Sequence, residues 1–180
     1  MATSAKATID DLYRVKEKAE IVNGEVVIMS PTGGLPSSAG GAIYASLLRH
    51  QREMGGGRAY PDGAGFVVDL PNRRSFSPDA AYHPEPKATM KFVEGAPVFA
   101  AEVRSEEDYG PAADRRLAEK RADYFCAGAL VVWDVDLIGA STVRSYRASE
   151  SHPLVFHRGE TAHAEPAVPG WHFPVDELFE

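Results

Sequence analysis

Alternating and continuous apolar runs divide the chain into short strands and three helices. In residues 19–30, two β-branched runs flank Asn23-Gly24, a dipeptide typical of a tight hairpin turn. Helices are predicted over about residues 9–17, from Ser37 or Ser38 to about Met54, and over residues 111–127. Pro111 suits a first helical position, and Gly128 ends the third helix.

Further strands follow the hairpin. They are predicted in two pieces within residues 58–70 and at residues 77–83, 97–104, 130–136 and 141–147, with short edge strands at 153–158 and 171–175. The run 97–104 is mostly apolar, as expected of a central strand buried on both faces. This order of elements predicts an α/β (α+β) fold with a mixed central β-sheet flanked by helices. The length of 180 residues, without repeats or a convincing linker, predicts a single domain over residues 1–180.

Composition narrows the class of protein. The chain is 44% hydrophobic and 25% charged, as in ordinary globular proteins. One cysteine, Cys126, excludes an intramolecular disulfide and a cysteine zinc cluster, and its apolar helical context predicts a small core residue. No secretion signal is recognisable, and no stretch approaches the ~18 apolar residues of a membrane span. We therefore expect a cytoplasmic protein without a membrane partner.

The net charge of −7 bears on nucleic-acid binding. Phosphate-binding surfaces are normally basic, so this charge argues against tight non-specific DNA binding by a lone subunit. Carboxylates that hold a metal ion count as negative in this total, however, and are neutralised in a working enzyme.

Three residues suggest chemistry. Asp79 follows Pro78 at the start of a strand, Glu102 lies near the end of the most apolar strand, and Lys120 lies in the next helix. A carboxylate inside an apolar strand is costly unless it is paired or binds metal. Carboxylates on neighbouring strands can share Mg²⁺ or Mn²⁺, which activates water against a phosphodiester, and a nearby lysine can position that water or offset charge. Taken singly, Asp79 is also compatible with a turn and Lys120 with a helix surface.

The ordered set of motifs resembles a known family. Pro78-Asp79, residues 97–105, Glu119-Lys120 and residues 131–136 resemble the Uma-type "putative restriction endonuclease" family of the PD-(D/E)XK nuclease superfamily. The likeness extends to the hairpin at residues 20–31 and to residues 168–179, and so covers nearly the whole chain.

The resemblance implies a restriction-endonuclease-like core that cleaves DNA with Mg²⁺ or Mn²⁺ as cofactor. It implies Asp79, Glu102 and Val103 as the metal-binding set. The family typically lacks the strand lysine of the standard superfamily motif and supplies it from the following helix, a position that Lys120 matches. Glu25 is a further candidate acid, with a solvated hairpin residue as the alternative. A homodimer is expected because two symmetric sites most simply cut two strands.

Arg104 departs from the superfamily pattern, in which a lysine stands two residues after the strand glutamate. Residues 102 and 104 share a face of the strand, so Arg104 is a candidate catalytic residue that contacts the scissile phosphate, or else reaches solvent. Arginine cannot serve as a proton-accepting base. If Arg104 fills the site, Lys120 is structural. Arg73 and Arg74, in a predicted turn, are phosphate contacts or charged surface.

Other hydrolase classes are excluded. The histidines lack the spacing of a zinc hydrolase, and there is no phosphate-binding loop of the NTPase kind. The main rival function is a non-catalytic binding or assembly protein that keeps the nuclease fold, supported by the acidic charge and the displaced lysine.

Overall fold

The computed structural model describes residues 6–84, 89–139 and 141–180. In chain order the elements are α1 (Ile9–Arg14), β1 (Ala19–Val22), β2 (Glu25–Ile28), α2 (Gly34–Met54), β3 (Arg58–Pro61), β4 (Phe66–Val67), β5 (Ser75–Phe76), β6 (Ala80–His83), β7 (Val93–Glu94), β8 (Phe99–Val103), α3 (Pro111–Cys126), β9 (Val131–Asp136), β10 (Thr142–Arg147), β11 (Leu154–His157), β12 (Thr161–His163), β13 (His172–Pro174) and a 3-10 helix (Val175–Phe179).

A six-stranded sheet in the order β11-β10-β9-β8-β6-β3 forms the centre. Within the described part of this sheet, β8 and β9 are the one parallel pair, and α3 makes the long connection that a parallel pair requires. The other neighbours are antiparallel. Three smaller sheets, β1-β2, β12-β13 and β5-β4-β7, surround it. The predicted α/β fold with a mixed central sheet is confirmed.

Alternate residues of β8 face two different cores, as strand geometry requires. Phe99 and Ala101 pack in a cluster with Ile43 of α2 and the C-terminal segment. Ala100 packs in a second cluster with Tyr124 of α3. The central strand is therefore covered on both faces, as its apolar run predicted.

Several boundaries differ from the sequence prediction. Helix α1 ends at Arg14 because Val15 is already extended, and α2 begins at Gly34, ahead of the predicted serines. Strand β12 was not predicted. Cys126 is exposed, so its predicted core position is wrong. The reason is that Cys126 lies two residues beyond buried Tyr124, which turns it about 200° around the helix away from the sheet.

Part of the predicted connection over residues 87–95 lies outside the described residues, and its later part forms β7. Within the described ranges, none of the helices combines the length and apolar character needed to cross a membrane.

Candidate functional site

The pairing of β6 with β8 positions the two predicted carboxylates. Ala80 pairs with Ala101 in this antiparallel ladder, and the Asp79 amide also donates to the Ala101 carbonyl, over 3.1 Å. Asp79 therefore lies at the end of the ladder beside the Ala101–Glu102 step, where its charge acts on Glu102.

Both oxygens of Asp79 have donors. The Val103 amide donates to Oδ2 over 2.8 Å, and the Lys18 ammonium donates to Oδ1 over 2.9 Å. Lys18, in the segment between α1 and β1, also contacts Asp62. Burial alone would lower the pKa of Lys18, but Asp79 and Asp62 outweigh it and the pKa is raised. Lys18 therefore stays charged beside Asp79.

Helix α3 covers Glu102 from one face of the sheet. The Lys120 ammonium lies 2.8 Å from Oε1 and 2.9 Å from Oε2 of Glu102. The Tyr124 hydroxyl donates to Oε1 over 2.7 Å. Lys120 and Tyr124 are four residues apart and so share one side of the helix. The structure thus brings Lys120 onto the strand carboxylate.

Glu20 of β1 joins this group, although the sequence analysis did not select it. Its Oε1 lies 2.9 Å from the Lys120 ammonium and accepts the Ser77 amide over 2.8 Å. Its other oxygen accepts from Arg73, which also donates to Asp123 over 2.8 Å. Arg73 is buried, so neither role predicted for it, phosphate contact or charged surface, is correct. The sequence signal for Glu20 is a carboxylate within the apolar run of residues 19–22, the same kind of signal that selected Glu102 in β8.

Glu102 and Glu20 have opposite pKa shifts. Burial raises the pKa of Glu102, and the neighbouring Asp79 and Glu20 raise it further against the opposing effect of Lys120. Burial acts in the same direction on Glu20, but Lys120 and Arg73 outweigh it and the pKa is lowered. At neutral pH Glu20 is the more firmly ionised of the two.

The donors to Glu102 keep their protons. Burial would lower the pKa of Lys120, but Glu102 and Glu20 outweigh it and raise the pKa. Burial raises the pKa of Tyr124 well above its ordinary value, and the two carboxylates add to this. An ammonium and a neutral hydroxyl therefore face Glu102 at neutral pH.

The charges of these ion-paired residues do not balance. They form two separate groups, one around Lys18 and one around Lys120 and Arg73, and each has one more carboxylate than it has cations. The carboxylates are Glu20, Asp62, Asp79, Glu102 and Asp123, and the cations are Lys18, Arg73 and Lys120.

The donor set suits a hard divalent cation in chemistry and charge. Among the residues that the structure describes, no three or more His, Cys, Asp or Glu side chains are grouped to hold a metal ion. Mg²⁺ needs fewer, because it usually keeps several waters and takes one or two carboxylates together with substrate phosphate. Asp79 and Glu102 supply oxygen donors of this kind, and both side chains remain partly exposed.

Arg104 lies outside this group. Its Nε and Nη2 donate to the two Asp134 oxygens over 2.7 and 2.8 Å, and Nη1 donates to Asp114 over 2.8 Å. The residue is 8% exposed. Asp134 of β9 pairs with Glu102, and so the Arg104 side chain can reach it. A guanidinium enclosed in this way fits neither predicted position, on a phosphate or in solvent.

Glu25 is also not brought to the carboxylates. It is exposed at the start of β2, and none of the described hydrogen bonds or ion pairs joins it to Asp79, Glu102 or Lys120. Its position is that of the alternative predicted for it, a solvated hairpin residue.

One family model and one solved structure are similar to this chain. The family model described as "Putative restriction endonuclease" matches residues 8–176. The crystal structure of a "putative nuclease" from Anabaena variabilis superimposes with a TM-score of 0.75 at 16% identity, covering 96% of this chain and 97% of that one. At that identity the likeness shows a common fold. No curated protein matches the sequence. Since the family model spans most of its length, this chain belongs to the Uma-type "putative restriction endonuclease" family.

Proposed function

We propose that the chain is a single-domain nuclease that depends on Mg²⁺ or Mn²⁺ and hydrolyses DNA phosphodiester bonds. The observation that carries the proposal is that Asp79 and Glu102 lie at the same end of β6 and β8, each paired with a lysine in a group that has one more carboxylate than it has cations. Family membership supports the nuclease class.

Asp79 and Glu102 are the side chains that hold the divalent ion in this proposal. The Val103 amide fixes Oδ2 of Asp79 and so limits how that carboxylate can rotate. The bound ion supplies Lewis acidity, which lowers the pKa of water and offsets charge on a phosphate ester.

Lys120 acts as a charged donor in this mechanism. Its raised pKa keeps the ammonium protonated at neutral pH, so it does not accept a proton from water. Its charge favours the anionic transition state of phosphodiester hydrolysis, and its N–H groups can orient water. Glu20 and Tyr124 are positioning residues, because Glu20 contacts the Lys120 ammonium and Tyr124 donates to Glu102.

A non-catalytic binding protein on the same fold is the second candidate. It is favoured by the net charge of −7 and by the lysines that already occupy both carboxylates. It predicts DNA or protein binding without strand cleavage.

The proposal includes a homodimer in the cytoplasm. Two copies related by two-fold symmetry place one site on each DNA strand. Light scattering on the purified protein tests the assembly, and a homodimer mass is the expected result.

Cleavage of supercoiled plasmid and circular single-stranded DNA, with Mg²⁺, Mn²⁺ or a chelator, tests the function. We expect metal-dependent products from the wild type and a loss of at least about a hundredfold in Asp79→Asn, Glu102→Gln and Lys120→Met. Asp69→Asn is the matched control, because that carboxylate is 90% exposed and pairs only with Arg74 among the described residues. A folded wild type that binds DNA without cutting it favours the non-catalytic candidate.

A further inference from the structure

A second feature lies beside the proposed metal site. A cavity of about 470 Å³ opens between α1, β3 and the segment before β7. Its lining includes Tyr13, Arg58, Tyr60, Gly63, Lys91 and Phe92. Gly63 directly follows Asp62, the second partner of Lys18, so the cavity begins one residue from the ion pairs that hold Asp79.

The cavity has a cationic lining in an acidic protein. Arg58 and Lys91 line it, and none of the described lining residues is acidic, although the chain has 26 acidic and 19 basic residues. Neither cation makes an ion pair within the described part of the chain. The Arg58 Nε is buried without a hydrogen-bond partner there. A buried donor without a partner costs free energy that a bound anion would offset.

The same cavity has a rigid aromatic wall. The Tyr13 and Phe92 rings stack at 4.2 Å with an interplanar angle of 6°, and the Phe92 amide donates to the Tyr13 hydroxyl over 2.9 Å. Gly65 makes room for this arrangement, since a Cβ there would lie 2.5 Å from the Phe92 ring. Tyr13 remains 45% exposed, which leaves part of its ring free for a further planar group.

We propose that this cavity binds one unpaired nucleotide of the substrate strand, with its phosphate against Arg58 and Lys91 and its base against Tyr13. Cationic groups with adjacent aromatic rings are the combination by which proteins bind single-stranded nucleic acid. A cavity of this volume is in the range that holds a ligand of nucleotide size. The inference rests on the proposed nuclease function and assigns it a strand-binding subsite.

Binding without cleavage tests this subsite. We would measure fluorescence anisotropy of a labelled oligothymidylate in a chelating buffer, over a series of salt concentrations. The double variant Arg58→Gln/Lys91→Gln is expected to weaken binding about tenfold. The slope of log affinity against log salt concentration should become shallower by about 0.7 for each lost phosphate contact. A duplex of matched length should respond less, because its nucleotides are paired.

The control removes the same charge elsewhere. Arg49→Gln/Arg52→Gln alters two exposed arginines of α2 that make no described ion pair. An equal loss in this control, or unchanged affinity in the cavity variant, would overturn the proposal. The single variant Lys91→Gln covers the case in which the double variant misfolds, because Lys91 is exposed and its replacement should leave the fold intact. It should produce about half the change in salt slope expected of the double variant.

The outcome separates the two proposals. Metal-dependent cleavage together with unchanged oligothymidylate affinity in the cavity variants would refute the subsite and leave the nuclease function standing. Cavity-dependent binding in a wild type that never cleaves would support the subsite and refute the nuclease. A wild type that does not bind the oligothymidylate would refute the subsite whatever its activity.

Discussion

The Lys18 ammonium donates to Oδ1 of Asp79 over 2.9 Å while the Val103 amide donates to Oδ2. Both oxygens of a proposed metal ligand are therefore engaged by the protein itself. Lys18 keeps a second partner in Asp62, whose side chain is 55% exposed. The ammonium can thus leave Asp79 without losing all its partners, and a divalent cation at Asp79 competes with it.

Lys18→Met is expected to tighten Mn²⁺ binding about tenfold. Two unit charges ~4 Å apart interact by about 1–4 kcal/mol between the dielectric constants of water and of a protein surface, and partial exposure favours the lower end. Isothermal titration calorimetry measures the change in affinity. Lys16→Met is the matched control, because Lys16 is exposed and has no described ion pair. Equal tightening in both variants would show a general charge effect and no competition at Asp79.

Stability should depend on pH with opposite sign at Glu102 and Glu20. Burial and the neighbouring carboxylates raise the pKa of Glu102 above its ordinary value of 4.5. As pH rises past that value, the Glu102 carboxyl ionises first in the unfolded chain. The free energy of unfolding therefore falls with pH until the pKa of Glu102 in the folded protein is passed. The pKa of Glu20 is lowered, so its contribution is present above 4.5 and is lost as pH falls through the folded pKa.

Urea unfolding over a pH series measures both contributions. The unfolding free energy of the wild type minus that of Glu102→Gln should fall as pH rises above 4.5 and then level off. The same difference for Glu20→Gln should rise with pH below 4.5. Differences that move in the same direction for both variants would contradict the opposed shifts. A chelator keeps divalent ions out of the measurement.

Arg104 should matter for stability and not for cleavage. Arg104→Lys keeps the positive charge but loses the two-pronged contact with Asp134, so we expect about 2 kcal/mol of destabilisation. Urea unfolding measures this loss. The cleavage rate, assayed where the variant is folded, should remain close to that of the wild type. A large fall in cleavage rate without a loss of stability would place Arg104 in the phosphate site after all.

The strand pattern made the carboxylate pair predictable. The apolar run of β8 with a single acid indicates Glu102, and Asp79, directly before β6, gains its significance only in combination with Glu102 and Lys120. Lys120 was selected as the lysine of the helix after that strand and was supported by the resemblance, and its helix places it over Glu102. These inferences use local patterns and the order of elements along the chain.

The remaining contacts depend on how distant segments pack. Lys18 lies between elements with no periodicity to mark it, and its partner Asp79 is 61 residues away. Arg104 shares a strand face with Glu102, but only the pairing of β8 with β9 shows that Asp134 encloses it. Glu20 and Glu25 both lie on the hairpin, and burial by Arg73 and Lys120 distinguishes them.

Gly65→Ala tests the aromatic wall of the cavity without changing any charge. Its new Cβ would meet the Phe92 ring at 2.5 Å, which forces the ring away from Tyr13. We expect about 1–3 kcal/mol of destabilisation from this overpacking. Because the stacked pair also forms the proposed base-binding wall, oligothymidylate affinity should fall while Mn²⁺ affinity stays unchanged.

Gly41→Ala, on an open face of α2, is the control and should instead stabilise the protein by about 0.5–1 kcal/mol. Destabilisation without any change in oligothymidylate affinity would mean that the wall supports the fold and does not contact the strand.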